Sequence, residues 1–88
     1  MTHRVELKPS AAKALARLPR RDQRRVARKI DALAKDPRPK TARKLSGADA
    51  IYRTRAGDYR ILYQIRDDVL LVLVVRIGHR RDVYRDLS

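Results

Sequence analysis

An 88-residue chain with 23 Lys plus Arg against ten Asp plus Glu has a formal charge of +13, more than solubility requires, and this points to a polyanionic partner, phosphate backbone first. It has no cysteine, so neither a disulfide framework nor a thiolate zinc site is available, as suits a reducing compartment. The longest apolar run, 69–75, is only a strand's length and Met1 is followed by polar and charged residues, so the expectation is one cytoplasmic domain over residues 1–88, without membrane association, metal or other cofactor.

Arginine outnumbers lysine by 17 to 6. A guanidinium fork matches phosphate oxygens two at a time, whereas an ammonium offers a point charge, so the bias favours phosphate recognition.

In chain order, Thr2 to Lys8 alternates weakly, with Val5 and Leu7 on one side, and reads as a short strand at a sheet edge. Ser10 is placed as the N-cap of a helix through Ala11, Ala12, Ala14 and Leu15, which Pro19 stops near Leu18. A second helix starts at Arg20 or Arg21, has Asp22 in its first turn, and runs to about Lys35, before Asp36-Pro37-Arg38-Pro39. Its apolar residues Val26, Ala27, Ile30, Leu33 and Ala34 fall three and four apart, and arginines fill the remaining arc. The two helices are expected to pair and cover a sheet. Residues 37–49, basic and with Leu45 as their one large apolar anchor, read as an exposed connector.

From Ile51 onward the period changes to two. Tyr52 and Thr54 alternate with Arg53 and Arg55, and Tyr59, Ile61, Tyr63 and Ile65 alternate with Arg60, Leu62, Gln64 and Arg66. The join contains Gly57, which takes a positive φ without steric penalty. A connection of two or four residues puts Arg53, Arg55 and Arg60 on one side of the sheet, whereas three would turn Arg60 into the core. An unpaired buried guanidinium costs on the order of several kcal/mol, which decides for the first parity. Residues 66–68 then read as a turn, and 69–75, apolar on both faces, as a central or doubly covered strand ended by Gly78. A basic tail, His79 to Asp86, follows. The fold expected is α+β, in the order β-α-α-β-β-β. An N-terminal strand and a two-helix hairpin pack on one face of a small, mostly antiparallel sheet, and the other face is open and lined with arginine.

The element order, with YRTRAGDYRILYQI and VVRIGHRRDVYR in the last forty residues, resembles the RelE/ParE toxin superfamily of toxin–antitoxin systems, in particular its RelE branch. The resemblance implies an endoribonuclease that cuts messenger RNA on the ribosome by attack of a ribose 2′-OH on the adjacent phosphate, and a cognate antitoxin as partner. It carries the family's site onto Arg53, Arg55, Arg60, Arg80 and Tyr84. Bordering basic residues, Lys44, His79, Arg81 and Arg85, are candidate RNA contacts. Where some relatives have lysine this chain has Arg55, a poor base, which leaves Tyr84 and His79 as candidates for proton transfer. Two other readings are a ParE-like gyrase poison that cuts no RNA, and a non-catalytic basic module bound to RNA or the ribosome.

Overall fold

The structure is a computed structural model that describes residues 2–45 and 51–79. Its elements are β1 (Arg4–Leu7), α1 (Pro9–Arg17), α2 (Arg20–Lys35), β2 (Arg43–Lys44), β3 (Ile51–Ala56), β4 (Tyr59–Arg66), a 3₁₀ turn (Asp67–Val69) and β5 (Leu71–His79). The sheet order is β1-β5-β4-β3-β2, parallel only between β1 and β5, with β1 and β2 at the edges. No helix among the described residues is long and apolar enough to cross a membrane.

Both helices lie on one face of the sheet. Val26, Ile30 and Leu33 of α2 and Ala11 of α1 meet Ile61, Tyr63 and Ile65 of β4 and Val72, Val74 and Ile77 of β5 in one buried cluster. Several of these, Val26, Ile61, Tyr63, Val72 and Val74, are completely shielded from solvent, and each is worth roughly 1.5–3 kcal/mol of burial at the aliphatic positions. The period of α2 matches the expectation. Val26, Ile30 and Leu33 form its inward stripe, and Asp22 and Lys35 complement the dipole at its two ends.

The start of α1 differs from the expected cap. The helix begins at Pro9, after Lys8, with no side-chain capping bond. Proline lacks an N–H and has φ already fixed, so it suits a first turn, where that donor has no intrahelical partner. Ser10 is therefore inside the helix.

The connector also differs. Arg43 and Lys44 pair with Arg53 and Tyr52 as a short edge strand, and the Leu45 amide bonds the Ile51 carbonyl at 2.8 Å. Upstream, the Tyr63 hydroxyl donates to the Pro37 carbonyl (2.7 Å), and the Arg38 guanidinium lies 5.5 Å from the Tyr52 ring centre. Contacts from its backbone and long polar side chains hold this stretch to the sheet, and neither kind appears in a hydropathy pattern.

The last strand starts and stops later than expected. Residues 67–69 form the 3₁₀ turn and Leu70 takes φ 50°, so β5 opens at Leu71 and runs through Gly78 to His79. It is flanked by β1 and β4, as its apolar run anticipated. Leu62 is opposite Arg76 while Tyr63 is opposite Val74, so Val75 is one extra residue in β5. Val72 and Val74 face the helices, and unbroken alternation would send Arg76 to the same side. The bulge resets the parity: Ile77, 5% exposed, enters the core and Arg76 turns to the other face.

Candidate functional site

The β3–β4 turn has two residues. Ala56 pairs with Tyr59 and Arg55 with Arg60, leaving Gly57 and Asp58 at the tip. Gly57 has φ 61° and Asp58 does not have a positive φ, the pattern of a type II′ hairpin turn, whose twist matches that of the strands. The two-residue parity is thus the one adopted. Thr54 and Ala56 are buried on the helix side, so Arg53, Arg55 and Arg60 share the opposite face.

Register extends this face into two rows. One runs Arg55, Arg60, Gly78; the other runs Arg43, Arg53, Leu62, Arg76. Directly opposed side chains in such a pair have Cβ atoms roughly 4.5–5.5 Å apart, so Arg55 and Arg60 lie within reach of a single anion. With Lys40 and Thr41, the residues Arg43, Arg53, Arg55 and Arg60 line a pocket of about 480 Å³. Towards the far end of the same face the register brings Ile51, Gln64, Leu73 and Glu6 together, then Arg66, Leu71 and Arg4, where Arg4 is paired with Glu6 and Arg66 with Asp68.

Arg60 is half-buried, and its Nε is shielded from water with no hydrogen-bond partner among the described residues. A buried donor of a charged group left unpaired is costly. Below the pocket, Lys29 Nζ of α2 donates to the Thr41 hydroxyl at 3.2 Å, and the Thr41 and Thr54 hydroxyls share a 3.3 Å hydrogen bond. This chain ties the helix layer to the pocket wall and satisfies the one buried polar side chain of β3.

Arg38, by contrast, is already engaged. Its Nη2 donates to Asp67 at 2.8 Å and its Nε to the Tyr52 hydroxyl at 3.3 Å, and the same Asp67 bonds His3 Nε2 at 3.0 Å. The Arg38 hydrogen bond, then that of His3, holds the Asp67 carboxyl below the usual carboxylate range. Burial pushes the Tyr63 phenol up to about 12. This cluster braces the connector.

Of the residues expected from sequence, Arg53, Arg55 and Arg60 come together. Lys44 and His79 do not join them. Lys44 pairs with Tyr52, whose ring stacks on Tyr63 on the helix side, and His79 pairs with Tyr59, with ring centres 6.1 Å apart and edge to face. Strand alternation puts both on the side opposite the arginine rows. Arg80, Arg81, Tyr84 and Arg85 lie outside the described residues. Arg43, Lys40 and Arg76 were not anticipated at the site. The basic composition of the connector signalled the first two, but which of Arg43 and Lys44 faces the pocket depends on the β2 register. Arg76 depends on the bulge, which leaves no mark in a hydropathy pattern. Among the described residues no group of three His, Cys, Asp or Glu side chains gathers to ligate a metal.

Two helices thus cover one side of a five-stranded sheet, and a basic pocket lies on the other. Residues 5–84 match the family model for the ParE toxin of type II toxin–antitoxin systems, parDE. The chain belongs to this family, within the RelE/ParE superfamily and on its RelE-like branch. A protein of Escherichia coli named as a RelE-like toxin is 32% identical over 88 residues, covering 96% of this chain and 92% of that one. Among solved structures, a chain of the archaeal RelE–RelB complex from Pyrococcus horikoshii OT3 superposes with a TM-score of 0.81 at 32% identity, over 91% of this chain and 97% of that chain. A chain of the RelBE2 toxin–antitoxin complex of Mycobacterium tuberculosis superposes with a TM-score of 0.79 at 28% identity, over 91% and 100%.

Proposed function

We propose that this toxin is an endoribonuclease that inhibits translation by cutting messenger RNA on the ribosome, in the cytoplasm. The ribose 2′-oxygen attacks the adjacent phosphorus, the bond from phosphorus to the 5′-oxygen breaks, and the products are a 2′,3′-cyclic phosphate and a free 5′-OH. Negative charge builds on the non-bridging oxygens as the attack proceeds. Arg53, Arg55 and Arg60 meet that charge in the pocket, already oriented by the strands that hold them. Arg80 and Tyr84, by likeness to the family, complete the site: the arginine adds charge, and the tyrosine offers a ring for a splayed base or a hydroxyl for proton transfer. No step as written calls on a metal.

The observation that carries this reading is the convergence of Arg53, Arg55 and Arg60 on one pocket, with the Arg60 Nε lacking a partner among the described residues. By likeness to the RelE–RelB and RelBE2 complexes, the toxin is held in a hetero-oligomer by a cognate antitoxin. The test is primer extension on messenger RNA after induction of the toxin in cells. Cuts within reading frames that vanish in Arg60→Ala support the reading. Intact messages with failing DNA integrity would favour a ParE-like gyrase poison, the alternative that the name of the matching family model brings forward.

A further inference from the structure

A second basic surface lies on the other side of the β3–β4 hairpin. Arg21, Arg24, Arg25, Arg28 and Lys29 of α2 line a groove of about 600 Å³ that is closed at the hairpin by Ala56 and Gly57. Residues three and four apart on a helix are neighbours, so the four arginines form one patch, and at 1.5 Å per residue it extends over about 10 Å. Like charges at that spacing work against the helix. Among the described residues no carboxylate forms an ion pair with any of the four. Asp22, the nearby acid in the first turn, accepts a 3.4 Å hydrogen bond from the Tyr59 hydroxyl.

Arg25 reaches across the groove to the hairpin. A Cβ built on Gly57 would come within 2.6 Å of Arg25 Nη1, so the guanidinium lies directly against the turn backbone. Arg55 and Arg60 stand on the opposite face of that same turn. The hairpin tip therefore has guanidinium groups on both sides. Among the described residues no aromatic side chain lines the α2 groove, so charge is the basis of recognition there.

We propose that the α2 groove binds the phosphate backbone of RNA, as a site separate from the cleavage face, so that the protein grips RNA on both sides of the β3–β4 hairpin. This rests on the reading that the toxin acts on RNA. Guanidinium forks packed this closely suit the regular spacing of phosphates. Binding through the groove is insensitive to sequence and falls steeply with salt.

The test uses a fully 2′-O-methylated RNA of roughly 20 nucleotides, which lacks the attacking hydroxyl and stays intact, with binding read by fluorescence anisotropy across a salt series. Three proteins are compared: wild type, the α2 variant Arg21→Gln/Arg24→Gln/Arg25→Gln/Arg28→Gln, and its all-lysine counterpart. The glutamine variant is expected to lose about 3 units of the slope of log K against log salt, at about 0.7 per phosphate contact, and at least tenfold in affinity near 0.1 M salt, while the lysine variant keeps the slope. A wild-type slope in the glutamine variant, an equal loss in the lysine variant, or wild-type protein that fails to bind overturns the proposal. Selective retention of an acidic peptide in place of RNA does so too. Repeating the series with an RNA duplex separates two sources of backbone. An effect confined to the single strand identifies the flanks of the cut message, and one present on the duplex identifies a folded RNA. An Arg55→Gln/Arg60→Gln protein with a disabled cleavage face should retain the α2 contribution, so loss of cleavage and loss of the second site are read independently.

Discussion

Arg55 and Arg60 face each other as direct cross-strand partners, two residues from the tip of the β3–β4 hairpin. Like charges in that relation destabilise a sheet by roughly 0.2–1 kcal/mol, so the pair is a standing strain that a bound anion relieves. Arg55→Thr removes the repulsion and keeps a good strand former. It is expected to raise the melting temperature by about 1–8 °C while losing cleavage by on the order of a hundredfold or more. Thermal unfolding and a cleavage assay on the same preparation check both halves. Added phosphate should raise the melting temperature of wild type more than that of the variant.

The bulge at Val75 predicts a more drastic outcome. Deleting Val75 restores plain alternation beyond Val74, turns Arg76 towards the helices and takes Ile77 out of the core. An unpaired buried arginine costs several kcal/mol against a total stability of about 5–15 kcal/mol for a domain of this kind. The deletion variant is expected to show no cooperative thermal transition. Combining it with Arg76→Val should recover one, measured by circular dichroism on heating.

Much of this architecture was legible in the sequence because burial forces periodicity. Val26, Ile30 and Leu33 announce α2, and Tyr59, Ile61, Tyr63 and Ile65 announce the core face of β4, so the arginine face follows by elimination. What was hidden has other causes. The β2 pairing is made by backbone groups of Arg43 and Lys44, so no apolar signal marks it. The partnership of β1 with β5 joins the two ends of the chain, and local pattern cannot encode it. Arg76 was missed because one inserted residue reverses the parity of the strand, and His79 was misplaced because its side is fixed by pairing with Tyr59.

The Asp67 link predicts a pH dependence with a definite sign. Its carboxyl titrates lower when folded than its ordinary value of 3.8, through Arg38 first and His3 second. A group of this kind contributes stability above its unfolded value and loses that contribution as pH falls through the folded one. Between about pH 5 and pH 2 the melting temperature of Asp67→Asn should therefore decline less steeply than that of wild type, having started lower at neutral pH. Parallel curves would mean that the Arg38 and His3 contacts do not persist in solution.

Tyr63 gives the opposite case at the alkaline end. Its phenol, buried and donating to the Pro37 carbonyl, is raised from 10.0 to about 12. Stability is complete below the unfolded value and is lost as pH rises through the folded one. Tyr63→Phe should be less stable than wild type at neutral pH by about 1–3 kcal/mol, because the carbonyl loses its donor. Its unfolding should also be flatter between pH 10 and 12. Urea midpoints across that range test both.

Single-turnover cleavage of a ribosome-bound message by purified toxin should fall on the order of 10²–10³-fold for Arg60→Ala, as expected when one charge donor to the transition state is removed. The cut made by wild type should leave a 2′,3′-cyclic phosphate. Arg60→Ala cleaving at the wild-type rate would contradict the claim that the arginine face performs the chemistry.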